Sequence, residues 1–254
     1  MRICRYRHGR EVGFGVLEDG SVAAITPHPF GPFQYTGARL GLGEVRLLAP
    51  VLPTKVIGVG RNYAGDAHQV LGEPAAEPVI FLKPSTAVIG PDDPVVYPTG
   101  IDRIDYEGEL AAIVGKVTRR VDEVSAMQAV LGFTCANDVT ARDLQKVDGQ
   151  WTRAKGFDSF CPLGPWIETD LDSSDLALRT LVNGEARQAS RTSLLERGVA
   201  SLIAFVSSVM TLLPGDVLLT GTPAGVGPLG AGDRVEIEVE GIGVLRNPVI
   251  AEPA

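Results

Sequence analysis

Hydrophobic and polar positions alternate with period two through most of this chain, in short runs broken by Gly and Pro. Residues 2–6, 12–17, 21–25 and 45–48 form four such runs, the pattern of half-buried strands. Pro50-Val51-Leu52-Pro53 interrupts it, because two prolines flank an extended segment. The reading divides the chain there, into a small β-rich unit over 1–52 and a larger unit over 53–254. In the larger unit strands are predicted at 55–59, 79–83, 107–114, 130–137, 164–168, 177–182, 217–220 and 234–239. Two stretches carry a helical period instead. Residues 121–131 open with Asp122-Glu123 and place Val124, Met127 and Val130 on one side, as an amphipathic helix would. Residues 201–213 carry a stripe of Leu202, Phe205, Val206, Val209, Met210 and Leu213 and meet Pro214-Gly215, a stop signal. The balance is an α+β chain, mostly β.

Composition narrows the class. At 254 residues and 44% hydrophobic, the chain can bury one large core, or a large and a small one. No apolar run approaches the roughly 18 residues that cross a bilayer. The start, Met1-Arg2-Ile3-Cys4-Arg5-Tyr6-Arg7, alternates where a secretory signal would be continuously apolar. A cytoplasmic protein with no membrane partner is expected. Cys4, Cys135 and Cys161 are odd in number and set in apolar context, which predicts buried free thiols, not disulfides or a thiolate metal site. The net charge is −8 with scattered basic residues, so nucleic acid is not an expected partner. An anionic substrate would need local positive charge.

The chemistry concentrates in Asp105-Tyr106-Glu107-Gly108-Glu109-Leu110. Side chains two apart in a strand share a face, so Glu107 and Glu109 repel each other unless a cation lies between them. Asp138 closes the apolar run 130–136 and supplies a third oxygen ligand, a set suited to a hard cation such as Mg²⁺ or Mn²⁺. Spacing alone leaves open the plainer reading of surface acids on a strand edge. Arg142 follows Asp138 by one helical turn and would share its face if the chain were helical there. With Lys155 it could hold a carboxylate and stabilise an enolate; alternatively Arg142 pairs with Asp143 or Asp148, and Lys155 is a solvated loop charge. Thr222, in the Gly-rich run 221–227, offers a hydroxyl and an amide as donors, or simply belongs to a tight turn. Gly58-Val59-Gly60 is a fragment of a dinucleotide fingerprint without its third glycine. The polar stretch around His68 reads as a cover over a site, or as a plain surface loop.

Taken in order, Gly60-Arg61-Asn62-Tyr63, Phe81-Leu82-Lys83-Pro84, Tyr106-Glu107-Gly108-Glu109-Leu110, Asn137-Asp138-Val139-Thr140-Ala141-Arg142-Asp143, Lys155-Gly156-Phe157-Asp158, Val182-Asn183-Gly184-Glu185, Pro214-Gly215-Asp216 and Gly221-Thr222-Pro223 resemble the fumarylacetoacetate hydrolase family in its shorter bacterial form. The resemblance implies a mixed β-roll catalytic domain preceded by the small β-rich domain, in a homodimer. It implies that Glu107, Glu109 and Asp138 bind Mg²⁺ or Mn²⁺, sometimes Ca²⁺. Arg61, Tyr63, Arg142, Gln145 and Thr222 are then expected to bind substrate, with Lys155 as a catalytic group. Family members hydrolyse acylpyruvates, decarboxylate oxaloacetate, or isomerise and decarboxylate 2-hydroxy-diene-dioates from aromatic degradation. In each case a metal stabilises the enolate of a 2-oxo acid.

One departure stands out. The family order Asn-Tyr-x-x-His-x-x-Glu places a catalytic dyad where this chain has Asp66 and Gln69. His68 and Glu73 are the candidates to take those roles in a shifted cover; without a dyad, hydrolysis should suffer more than decarboxylation, since it needs a base to activate water. The leading reading is a metal-dependent isomerase, hydrolase or decarboxylase acting on a small 2-oxo acid or its enol. A metal-holding binding protein that has lost catalysis is the alternative of another class, and a nicotinamide enzyme the third.

Overall fold

A computed structural model describes residues 1–64 and 76–253. His68 and Glu73, with the expected cover, lie outside these described residues. The strands gather into three sheets. The largest has twelve strands, running in the order Gln34–Gly41, Ser21–Thr26, Glu11–Glu18, Arg2–His8, Cys161–Glu168, Val130–Asn137, Gly108–Val114, Val217–Leu219, Val56–Gly60 and Val79–Lys83, with Arg46–Leu48 and Val88–Ile89 attached at its side. A five-stranded sheet runs Glu185–Arg191, Ala177–Val182, Arg234–Val239, Gly243–Ala251 and Val95–Tyr97. Thr140–Ala141, Ile104–Tyr106 and Gly227–Leu229 make a third, small one. The protein is mostly β, and the twelve-stranded sheet continues across residue 52, because Arg2 and Ile3 pair with Glu168 and Ile167.

The strand Gly108–Val114 is buried along its whole length, and the alternation of its side chains divides two cores. Leu110, Ala112 and Val114 pack with Leu178, Val235 and Ile237 of the five-stranded sheet and with Leu202, Ile203 and Val206 of a helix. Ala111 and Ile113 pack on the other side with Cys161, Leu163, Ile167, Val217 and Leu219. Burying each such Leu or Ile contributes about 1.5–3 kcal/mol, so this strand is a firmly held place from which to project a functional group. The N-terminal strands keep a small core of their own, Cys4, Tyr6, Val22 and Ala24. All three cysteines are buried and free, as expected, and burial raises each thiol to about 12.

Both predicted helices are shorter than their hydrophobic patterns. Over 121–131 there is one turn, Glu123–Ala126, then a 3-10 turn, Met127–Ala129. Asp122 caps it by accepting from Ser125 N at 2.8 Å, and Val130 already pairs with Val114 in the sheet, so the third residue of the helical stripe is a strand residue. The second helix spans Val199–Val209. It ends before Leu212 because that residue exchanges two 2.9 Å backbone hydrogen bonds with Thr118. The strands Gln34–Gly41, Glu185–Arg191 and Gly243–Ala251 were not predicted. Among the described residues no helix is long and apolar enough to cross a membrane.

Candidate metal and substrate site

Glu107, Glu109 and Asp138 meet at one end of the Gly108–Val114 strand. Glu109 lies on the strand, Glu107 immediately before it, and Asp138 immediately after Val130–Asn137, the neighbouring strand. That strand pairing sets Gly108 opposite Asn137, and the backbone N–H of Glu107 donates to Asn137 Oδ1 at 2.9 Å. One ligand oxygen from each carboxylate lies within 4.8 Å of the other two, and all three residues are at most 3% exposed. They are therefore not solvated strand-edge acids.

The residue between the two glutamates has to be glycine. A Cβ on Gly108 would stand 2.1 Å from Thr180 Oγ1 and 3.2 Å from Gln188 Oε1, because the five-stranded sheet packs directly on this peptide.

Cations surround the carboxylates unevenly. Lys155 Nζ donates to Asp138 Oδ2 at 2.5 Å and to Glu107 Oε2 at 2.7 Å. Lys83 Nζ holds the other oxygen, Asp138 Oδ1, at 2.5 Å and also donates to Val139 O at 3.1 Å. Arg142 forms an ion pair with Glu107 Oε1, donates from Nε to Asp105 Oδ2 at 2.8 Å and from Nη1 to Gln145 Oε1 at 2.8 Å. Arg103 grips Asp105 with two bonds of 2.6 and 3.0 Å. Glu109 has no ion-pair partner among the described residues; it accepts from Gly221 N at 2.6 Å.

The electrostatics follow this asymmetry. Burial works against the Glu107 charge, but Arg142 and Lys155 outweigh it and hold the carboxyl at about 2. Burial, then the neighbouring Asp138 and Glu107, push Glu109 well above the usual carboxylate range. Burial opposes the Lys155 charge as well, and Asp138 and Glu107 more than compensate, so its pKa is raised. Three clustered acids, one of them uncompensated, fit a hard divalent cation bound through oxygen, the class that includes Mg²⁺ and Mn²⁺. The chain has no Cys or His ligand to add among the described residues of the cluster.

These groups open onto a cavity of about 430 Å³. Arg142, Gln145, Lys155 and Thr222 line it, as expected, and so does Arg61, which adopts a left-handed backbone at φ 59°. Lys146 and Arg103 add positive charge to the wall. Phe81 and Trp151 form an aromatic face, 5.5 Å apart edge to face, with Lys155 Nζ 4.8 Å from the Phe81 ring centre. The two glycines of the dinucleotide-like fragment serve this face. A Cβ on Gly58 would stand 2.1 Å from Phe81 Cζ, and one on Gly60 would stand 2.7 Å from the Trp151 ring. Their strand pairs antiparallel with the next strand, Val79–Lys83, and parallel with the distant Val217–Leu219, not parallel with its successor as in the βαβ unit of a dinucleotide fold.

Four expectations change. Arg142 does reach the carboxylates, but not along a helix from Asp138: the short strand Thr140–Ala141 intervenes and the helix Arg142–Asp148 begins at the arginine. Its partners are Asp105 and Glu107, while Asp148 pairs with Arg153. Lys155 is buried, not a solvated loop charge. Thr222 offers no free hydroxyl proton, since its Oγ1 donates to Gly108 O at 2.9 Å. Tyr63 is buried and absent from the cavity wall; its hydroxyl has no hydrogen-bond partner among the described residues, and burial together with the Glu109 charge raises its pKa. Lys83, Asp105, Arg103 and Trp151 were missed as site residues, although Lys83 falls in the Phe81-Leu82-Lys83-Pro84 motif.

Comparison with known proteins agrees with this architecture. A family model described as fumarylacetoacetate (FAA) hydrolase C-terminal matches residues 55–250, and one described as Rv2993c-like, N-terminal, matches residues 1–50. The crystal structure of 5-carboxymethyl-2-hydroxymuconate delta-isomerase from Mycobacterium smegmatis is 53% identical, with a TM-score of 0.94 over 99% of this chain and 100% of that one. The mitochondrial oxaloacetate tautomerase fahd2 of Xenopus laevis is 38% identical over 97% of this chain and 79% of its own length. Maleylpyruvate hydrolase from Sphingobium sp. SYK-6, solved with manganese(II) and pyruvate, is 33% identical, with a TM-score of 0.83 over the full length of both chains. With a family model spanning most of its length and relatives of this identity along the whole of it, the chain belongs to the fumarylacetoacetate hydrolase family, whose members are enzymes.

Proposed function

We propose that this protein is a divalent-metal-dependent enzyme acting on a small 2-oxo acid or its enol, and that its reaction is a keto–enol or double-bond isomerisation. The observation that carries this reading is the charge balance at the site. Four contacting carboxylates (Asp105, Glu107, Glu109, Asp138) face four cations (Lys83, Arg103, Arg142, Lys155). A divalent ion held by Glu107, Glu109 and Asp138 leaves these eight groups with an excess of two positive charges, to which Arg61 and Lys146 on the cavity wall add. That excess complements an enolised 2-oxo acid, which carries one charge on its carboxylate and a second on its enolate oxygen.

When bound, the ion supplies Lewis acidity that stabilises the enolate oxygen. The chain's own residues supply the rest. Arg142, fixed by Asp105 and Glu107, presents its guanidinium edge with Gln145 to orient a carboxylate. Lys155 lines the cavity and carries its charge at rest, so its Nζ can give a proton to the carbon next to the carbonyl while the enol hydroxyl releases its own to solvent; in the reverse direction the lysine must first lose its proton to accept one from that carbon. Phe81 and Trp151, set edge to face, give the cavity beside that proton an apolar side. Isomerisation is favoured over hydrolysis because it needs proton transfer but no attacking water, and because the isomerase relative at 53% identity shares more sequence with this chain than hydrolases at 38 and 33% do.

The same reading takes Mg²⁺ or Mn²⁺ as the working ion, a homodimer as the assembly, residues 1–52 as a small N-terminal domain whose strands join the large sheet, and the cytoplasm as the location. The test is turnover of oxaloacetate, acetylpyruvate and fumarylpyruvate with each ion, corrected for the free metal. Metal-dependent interconversion of keto and enol oxaloacetate without carbon–carbon cleavage supports the isomerase reading. Loss of CO₂ from oxaloacetate replaces it with a decarboxylase, cleavage of acetylpyruvate or fumarylpyruvate with a hydrolase. Bound metal without turnover of any of them leaves a double-bond isomerase of narrower substrate range or a binding protein.

A further inference from the structure

Behind the carboxylates, off the cavity wall, lies a buried glutamine with no free hydrogen-bonding capacity. Gln188 sits on Glu185–Arg191 of the five-stranded sheet and is 1% exposed. Its Oε1 accepts from Gly108 N at 3.0 Å and from Thr180 Oγ1 at 2.6 Å. Its Nε2 donates to Thr222 Oγ1 at 2.8 Å and to Pro223 O at 2.9 Å. Gly108 N can only donate and Pro223 O can only accept, so the amide has one orientation and the slot fits a glutamine alone. Thr222 Oγ1 in turn donates to Gly108 O. Both polar backbone groups of the residue between Glu107 and Glu109 are thus tied, directly or through Thr222, to one side chain from another sheet.

We infer that Gln188 is a positioning residue: it fixes the offset between the Glu107–Glu109 carboxylates and the Thr222 loop, and so shapes the place where the oxo acid binds. The inference rests on the metal–enolate reading. The two pieces are also joined on either side of this point: Thr220 donates twice to Leu110 O and Gly221 N bonds Glu109 before it, while Tyr106 Oη donates to Gly225 O and Gly227–Leu229 pairs with Ile104–Tyr106 beyond it. Between these anchors the tie at Gly108 is made by Thr222 and Gln188. Two of the three metal-site carboxylates have independent support, because Lys83 and Lys155 hold Asp138 while Arg142 and Lys155 hold Glu107; Glu109 is set by its own buried strand and by Gly221 N. Loss of Gln188 should therefore cost the ion little and weaken a ligand seated against Thr222, which lines the cavity.

The test uses oxalate, a planar mimic of an enolised 2-oxo acid, bound to the Mn²⁺-loaded full chain, with Mn²⁺ and oxalate affinities each measured per metal-loaded site. In Gln188→Met, Mn²⁺ affinity is expected to stay within about twofold of wild type while oxalate affinity falls about tenfold, the scale of one or two lost buried hydrogen bonds. In a Thr222→Val background the further effect of Gln188→Met should shrink to less than about threefold, since the two act as one unit. Gln188→Glu keeps the acceptor bonds to Gly108 and Thr180 and loses the donor bonds; it should show the same oxalate loss and serves if the methionine variant does not fold. Unchanged oxalate affinity in both variants, or a full tenfold loss on top of Thr222→Val, overturns the inference. Failure of wild type to bind Mn²⁺ or oxalate overturns the metal–enolate reading beneath it instead.

Discussion

Lys155 Nζ and Asp138 Oδ2 lie 2.5 Å apart in a fully buried pair, and the same ammonium bridges to Glu107. A lysine is thus lodged among the acids proposed to hold the metal. Its position makes it both a counter-charge for those acids and a proton carrier for a ligand in the cavity.

Lys155→Met separates these two roles. Removing one member of a buried ion pair costs about 3–5 kcal/mol, so thermal denaturation of the metal-free variant should fall by on the order of 10 °C in a chain of this size. Mn²⁺ compensates the stranded carboxylates, so the metal-induced rise in Tm should exceed that of wild type. Turnover of the metal-loaded variant should fall by about 10²-fold or more. A wild-type proton-transfer rate in this variant would remove Lys155 from the chemistry.

Two glutamates two residues apart respond to pH in opposite senses. Glu107 is held at about 2, below its ordinary 4.5, so its contribution to stability is complete above about pH 4.5 and is lost as pH falls toward 2. Glu109 is raised well above 4.5, so the metal-free fold prefers it protonated; that contribution is complete below about pH 4.5 and is lost as pH rises through its elevated value. Bound metal needs Glu109 ionised and reverses its preference. The Mn²⁺-induced rise in Tm, followed by calorimetry, should be small near pH 5 and grow toward pH 8, with a midpoint above 4.5. A shift independent of pH over that range would exclude Glu109 as a ligand.

Gly108→Ala tests the packing that makes the Glu-Gly-Glu order necessary. The added methyl meets Thr180 Oγ1, and overpacking of this kind costs about 1–3 kcal/mol. In urea unfolding the midpoint should fall, and Thr180→Ala in the same chain should recover part of the loss. Equal stability of Gly108→Ala and wild type would show that the five-stranded sheet does not press on this peptide.

The acids were legible in the sequence because period-two alternation and burial act along a single strand: Glu107 and Glu109 can be placed on one face from their spacing alone. Their partners were less so. Lys83 closes an apolar strand, where a lysine ordinarily carries its charge out to water; its burial depends on Asp138, 55 positions along the chain. Gln188 carries no charge and stands in a polar run, so nothing local distinguishes it. The helix over 121–131 fails because sheet pairing claims Val130. One signal was present and unused: Asn183-Gly184, with φ of 54° and 81°, is a two-residue hairpin turn, and it announces the strand Glu185–Arg191 that carries Gln188.

The central claim is that Glu107, Glu109 and Asp138 hold a divalent ion that lets this chain enolise a 2-oxo acid. The most direct measurement is exchange of the C3 protons of pyruvate with D₂O, followed by NMR with Mg²⁺, for wild type and Glu109→Gln. The account predicts enzyme-dependent exchange that stops when EDTA removes the ion and is lost in the variant. Exchange that persists in EDTA, or proceeds equally in Glu109→Gln, would contradict it.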